Sequence, residues 1–505
     1  MSPNLILLIV TAYSALLFLV VWITSRNADN ESYFIGNKSS RWYLVAYGMI
    51  GASLSGVTFM SVPGAVATTQ FSYMQVVFGY LIGYAVIALI LMPVYYKMNL
   101  TSIYTYLGKR FNVEAHKIGS IFFIISRAIG ATARLYLVVN VLQIFLLEGL
   151  GVPFWVTSLV LLLMVLLYTF EGGVKTIIYT DTLQTTGMLL GLVVCIIVIL
   201  NNMNLDFSNA LSLLNKKGYS NIFNTDYKAG SFYLKHIIGG AFIAISMTGL
   251  DQEMMQKNIS VKTLEGSQKN VLTLATVLLI VNLLFLFLGG LLSLYATQQG
   301  LDVKGDDLFP TIALSGTLSA AIGVIFIIGL ISALFPSADG ALTAMTSSFC
   351  IDILGMQKDT LTSDKDKKRT RLMVHLGFAV LFFCCVVMFK WINDKSIIDV
   401  ILKLAGYTYG PLLGMFAFGI FTHRVPKDKW VLWVCLLSPI FIFGLDFINN
   451  AEWFAKKLAL SESTSTSLIQ LSDSIFSGFK IGIEMLILNG LVTFMGLWMI
   501  SKKQK

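Results

Sequence analysis

The chain has 505 residues, of which 56% are hydrophobic and only 12% charged, and its mean hydropathy is +0.77. That composition excludes a soluble globular domain and implies an all-α polytopic membrane protein. The net charge of +9 requires no nucleic-acid partner, because the basic residues gather in the connectors of one face, where anionic lipid of the bilayer meets them.

Runs of about 18 or more apolar residues can cross the roughly 30 Å hydrocarbon layer as helices, and thirteen are expected. The first, 4–24, has no Lys or Arg before it and no small-residue cleavage site after it, so it reads as a retained helix rather than a signal peptide. The second, 42–65, contains Gly48, Gly51 and Gly56 interleaved with Ser53 and Ser55. The third is 71–96, and the stretch 97–116 after it reads as a short amphipathic helix at the inner surface. The fourth to sixth are 117–147, 153–170 and 177–201. The seventh, 233–256, holds Gly239-Gly240 and then Ser246-Met-Thr-Gly-Leu-Asp-Gln252, and the eighth is 270–296. The ninth, 311–350, is long enough to span and extend into solvent, and it carries Asp339 within Ala333-Leu-Phe-Pro-Ser-Ala-Asp-Gly340. The last four are 373–391, 396–421, 429–448 and 478–500.

Lys and Arg placement sets the orientation. With the N-terminus outside, the connectors carrying Arg26, Lys38 and Arg41, Lys97 to Lys117, Lys257 to Lys269, Lys358 to Arg371 and Arg424 to Lys429 become cytoplasmic, together with the C-terminal tail. The expected location is therefore the plasma (inner) membrane, multi-pass, with the C-terminus inside. No separate soluble domain and no obligate protein partner is evident. The five Cys residues sit in or at the edge of apolar segments with no metal or disulfide spacing. His116, His236, His375 and His423 form no ligand grouping, so neither a metal centre nor an enzyme is expected.

The second and seventh segments are both interrupted by glycine, five segments apart. A break at membrane depth is tolerated only where it lines a cavity or holds a ligand, and such a matched pair points to a transporter binding site. The alternative is that glycine and serine merely allow close helix packing.

Four motifs then carry a resemblance: Ser32-Tyr-Phe-Ile-Gly-Asn-Lys-Ser-Ser40, Gly172-Gly-Val-Lys-Thr-Ile-Ile-Tyr-Thr-Asp-Thr-Leu-Gln184, Asp251-Gln-Glu-Met-Met-Gln-Lys257 and Ala405-Gly-Tyr-Thr-Tyr-Gly-Pro-Leu-Leu-Gly414. In this order and spacing the chain resembles the sodium:solute symporter family over about residues 30–425. The resemblance implies the leucine-transporter fold, with two inverted five-helix repeats at 42–201 and 233–421, a peripheral first helix at 4–24 and peripheral C-terminal helices at 429–500. It also implies alternating access driven by a sodium gradient, with sodium as the coupling ion.

By the same resemblance, the carbonyls of Gly51, Leu54 and Ala333 and the hydroxyl of Ser337 stand at sodium-ligand positions, with Pro336 replacing a second hydroxyl. Asp181 matches the carboxylate of a second sodium site, and Asp339 falls where the family places a partner hydroxyl. Two carboxylates within reach of each other need a cation or a proton between them. The alternatives are an ion pair of Asp339 with Arg127 or Arg134 on the fourth segment, and a protonated Asp339 in a proton-coupled carrier. Thr58 and Ser55 at the break, with Asp251, Gln252 and Lys403, are the expected substrate contacts. Asp251 and Gln252 alternatively cap a helix end or gate the inner side. A lysine at membrane depth suggests a carboxylate-bearing substrate, unless Lys403 pairs with Asp399 one turn away or snorkels. Phe59, Tyr73, Phe78, Tyr80 and Tyr84 are candidate gates. The reading is a sodium-coupled symporter of a small polar organic solute, carboxylate-bearing or sugar-like, with proton coupling or an ion channel as the alternatives.

Overall fold

With no water to satisfy its backbone, an apolar chain in lipid folds into helices, and the computed structural model is helical nearly throughout. It describes residues 3–24, 33–34, 40–316, 318, 320–357, 359, 361–392 and 397–503. Ser32 and most of the motif that follows it, 35–39, lie outside the described residues. The apolar helices are α1 (Pro3–Thr24), α2 (Trp42–Ser53), α3 (Gly56–Thr69), α4 (Tyr73–Lys97), α5 (Val113–Phe145), α6 (Phe154–Leu167) and α7 (Thr176–Asn202). The second half holds α8 (Tyr233–Gly249), α9 (Gln252–Ile259), α10 (Leu264–Gln298), α11 (Ala321–Ile353) and α12 (Asp364–Trp391). It continues with α13 (Ile398–Thr408), α14 (Gly410–Phe421), α15 (Asp428–Asn449) and α16 (Met485–Met499).

Eight of the described helices are long and apolar enough to cross a membrane, and eleven spans result if each bent pair counts as one. The shorter α6 and α16 occupy the remaining two expected positions. The bent pairs are α2/α3 at 53°, α8/α9 at 65° and α13/α14 at 47°. Gly173, at φ +56°, separates α6 from α7, and a Cβ there would lie 2.4 Å from the Tyr33 backbone, so only glycine is accommodated.

Burial separates core from rim. The most apolar window of α11 is 78% buried and that of α5 is 67%, against 17% for α1 and 22% for α12. Leu8, Leu89, Leu167 and Trp391 stand exposed, as lipid-facing residues of a membrane helix do. Cys384 is exposed on α12 and Cys385 is half-buried, while Cys195, Cys350 and Cys435 are buried.

Helix glycines serve close packing as well as breakage. A Cβ on Gly240 would lie 2.3 Å from the Val76 carbonyl, and one on Gly51 would lie 2.2 Å from Thr185 Oγ1. The first break, at Leu54-Ser55, falls one turn after Gly51, and the second is at Leu250-Asp251. Gly51→Ala is therefore expected to destabilise by about 1–3 kcal/mol through overpacking. Adding Thr185→Ala, which removes the clashing hydroxyl, should return most of the loss in a thermal-unfolding comparison of the two variants.

The stretch 97–116 is not an interfacial helix lying free on the surface. Its helical part is Thr105–Arg110, and Ile103, Tyr104 and Leu107 are fully buried. Arg110 Nε donates to the Gly419 carbonyl at 3.1 Å, and its Nη2 donates to the carbonyls of Thr422 and Arg424. At the same end Asp352 accepts from Ser102 Oγ at 2.7 Å and Ser348 Oγ at 2.6 Å and meets His116 Nε2 at 2.7 Å. This end is packed shut. The opposite end opens into a cavity of about 1220 Å³ lined by Thr69, Tyr73, Asn221, His236, Lys304 and Asp399 among others.

Candidate functional site

The break in α2/α3 frees backbone oxygens. Leu54 leaves the helix at φ −89°, ψ 79° and Ser55 is extended at φ −77°, ψ 178°. Among the described residues no backbone N–H donates across the break to the carbonyls of Gly51 or Leu54. On α11, Pro336 lies inside the helix, and its missing N–H strips the Ser332 carbonyl of its ladder donor. Ser337 Oγ reaches the Ala333 carbonyl only at 3.5 Å, so this hydroxyl is weakly engaged. Helices α2 and α11 pack together. These neutral oxygens are the donor set a hard monovalent cation prefers, and the residues therefore suit the expected sodium site.

Beside the break lies a smaller cavity of about 90 Å³. Its lining includes Ser53, Leu54 and Thr58 from the break, Tyr73, Tyr80 and Tyr84 from α4, and Thr248 and Asn282. Two arginines of α5, Arg127 and Arg134, also line it. Ser53 Oγ is buried without a hydrogen-bond partner, so the wall offers an unused polar group. Tyr73 lines both this cavity and the large open one, and its hydroxyl meets Tyr80 Oη at 3.1 Å. Of the candidate gates, Tyr73, Tyr80 and Tyr84 thus face the site. Phe59 instead packs among Phe285, Phe309 and Phe326, and Phe78 stacks on Phe223.

The two arginines differ. Arg127 is 3% exposed; it pairs with Glu253 and lies 3.7 Å from Asp251 Oδ2. Arg134 makes no hydrogen bond or ion pair among the described residues. Among the described residues Arg127 pairs with Glu253 and Asp251, and no ion pair of either arginine with Asp339 is seen. Asp339 Oδ1 accepts from the N–H of Gly340.

Several expected substrate contacts are used elsewhere. Asp251 caps α9, accepting from Glu253 N at 2.9 Å and Met254 N at 3.3 Å, and takes the Tyr409 hydroxyl at 2.8 Å. Gln252 accepts from Ile103 N at 2.9 Å and donates to the Thr101 carbonyl at 3.1 Å. Both are fully buried and neither lines the cavity. Lys403 sits 2.5 Å from Asp446 Oδ2, near the rings of Trp453 and Phe454, and lines a different cavity with Gly230 and Asn450. It pairs with Asp446 of α15, whose place beside it no helical spacing could reveal. Of the expected set Thr58 lines the site and Ser55 forms the break.

Asp181 also departs from expectation. Its Oδ2 lies 2.8 Å from Lys257 Nζ. The sequence reading missed Lys257 and Glu253, and it weighed Arg134 only as an ion-pair partner of Asp339. The available signal was that Arg127 and Arg134 stand two turns apart on one apolar helix, where an ionisable side chain is functional by default.

A model of the sodium:solute symporter family matches residues 33–432. The sodium/sialic acid symporter SiaT of Proteus mirabilis is 24% identical, covering 87% of this chain and 89% of that protein. The sodium/sialic acid symporter NanT of Aliivibrio fischeri is 24% identical, covering 83% of each. A solved substrate-bound, outward-open sodium-coupled sialic acid symporter superposes with a TM-score of 0.79 over 99% of both chains at 19% identity.

Proposed function

The chain belongs to the sodium:solute symporter family, and we propose that its cargo alongside sodium is a small carboxylate-bearing solute held by Arg134. It is a sodium-coupled secondary active symporter of leucine-transporter-like fold, not an enzyme. The observation that carries the substrate class is the unpaired guanidinium of Arg134 in the wall of the central cavity. A cation at membrane depth is costly without an anion, and a guanidinium offers a planar fork that matches a carboxylate. The expected carboxylate anchor, Lys403, is already neutralised by Asp446.

Ser53, Thr58, Thr248 and Asn282 surround the same space and suit the polar remainder of the solute. The sodium ligands are Gly51, Leu54, Ala333 and Ser337, next to the cavity through Leu54. The relatives named for sialic acid carry a sugar acid, which is consistent with this class. A space of about 90 Å³ is below the roughly 300 Å³ of a drug-sized pocket, so loading a sugar acid requires Tyr73 to yield toward the open cavity. The bent pairs α2/α3 and α8/α9 support inverted repeats at 42–201 and 233–421, with 4–24 and 429–500 peripheral. The basic connectors support thirteen spans in the inner membrane with the N-terminus outside.

Uptake into proteoliposomes tests this reading. An inward sodium gradient is expected to accumulate sialic acid or a smaller monocarboxylate above its external concentration, and collapsing the gradient should abolish it. Accumulation of neutral sugars with no acid transported would refute the substrate class. Uptake driven equally by a proton gradient without sodium would refute the coupling.

A further inference from the structure

Asp181 of α7 is fully buried, at a depth where a carboxylate needs a cation. That cation is part of the chain. Lys257 is 2% exposed, and its ammonium lies 2.8 Å from Asp181 Oδ2 and 3.4 Å from Glu253 Oε1. Glu253 in turn pairs with Arg127. The third wall is α11, where a Cβ on Gly340 would lie 2.2 Å from Glu253 Oε1. On that helix Asp339 stands where a partner hydroxyl was expected, and Gly340 beside it leaves the room that the Glu253 carboxylate fills. The fourth side is α2, where a Cβ on Gly48 would lie 3.1 Å from Asp181 Cβ.

These residues do not suit a second sodium ion at Asp181: one carboxylate oxygen is already held by an ammonium, and Asp339 stands where a partner hydroxyl was expected. We infer that Lys257 is a tethered replacement for that ion, so that this symporter binds a single sodium, at the α2/α11 site. The inference rests on the proposed sodium coupling and fixes its stoichiometry. An ammonium supplies one positive charge and three donors, which is what two facing carboxylates require. The other oxygen, Asp181 Oδ1, is buried without a hydrogen-bond partner. Removing the ammonium therefore leaves Asp181 and Glu253 with free oxygens around a vacated cation position.

The test needs no knowledge of the solute. Binding of radiolabelled sodium to the purified full-length protein, counted at saturation, is expected to give one ion per chain. Lys257→Gln is expected to raise the count to two and to add a second sodium-dependent rise in melting temperature. Two ions bound by the unaltered protein would overturn the inference while leaving sodium symport standing. A folded Lys257→Gln protein that still binds one ion would overturn it equally. No sodium bound by the unaltered protein would overturn the sodium-coupled reading and this inference with it. If Lys257→Gln does not fold, the count on the unaltered protein decides alone.

Discussion

Arg134→Gln is expected to weaken binding of the carboxylate solute by roughly a hundredfold or more without lowering thermal stability. Removing one partner of a buried, hydrogen-bonded charge pair costs about 2–5 kcal/mol, and each 1.4 kcal/mol is a factor of about ten. The solute-free protein loses nothing by the change, because Arg134 has no partner among the described residues and an unpaired charge at membrane depth is itself unfavourable. Arg134→Lys should restore only part of the affinity, since an ammonium cannot make the two-pronged contact. The measurement is a paired one, with solute affinity by calorimetry beside the melting temperature of the empty protein. Unchanged affinity in Arg134→Gln would remove the guanidinium from the substrate site.

Arg127→Met should do the reverse, lowering stability first. Seven residues earlier on the same helix, Arg127 compensates Glu253 and Asp251, and its loss strands two buried carboxylates. Breaking such a pair costs about 3–5 kcal/mol, so a large fall in melting temperature is expected even without solute. Arg127→Met combined with Glu253→Gln removes a charge of each sign and should recover part of the loss. A single variant as stable as the parent would show that the network is not what holds α9 against α5.

These two outcomes bear on how much the sequence discloses. The spans were legible because hydrophobic length follows from bilayer thickness, and the α2/α3 break because glycine and serine crowd at Gly51 to Gly56. Thr58 came from the family resemblance, and it lines the cavity beside that break. Lys257 was not legible: it ends an apolar segment, so charge placement assigns it to the cytoplasmic connector. The 65° bend before α9 swings it inward, and nothing local in the sequence encodes that angle. Asp251 and Gln252 have the polarity of ligands, yet one caps α9 and the other binds the segment at 101–103, both tertiary arrangements. Lys403 and Asp446 are 43 positions apart, so the ion pair that silences Lys403 is invisible in periodicity. Asp339 drew attention as an odd acid, and its importance proves to lie partly in Gly340 beside it, which makes room for Glu253.

An ion fixed to the protein by a side chain is never released, and so it does no work for the cell. With Lys257 standing where a second ion would ride, each solute monoanion crosses with one sodium and the pair is electrically neutral. A tenfold sodium gradient then supplies about 1.4 kcal/mol per cycle, which caps accumulation at about tenfold. Membrane voltage, worth about 2.3 kcal/mol per charge per 100 mV, adds nothing. A carrier built this way keeps loading when the membrane is depolarised, and it gives up a steep concentration ratio in return.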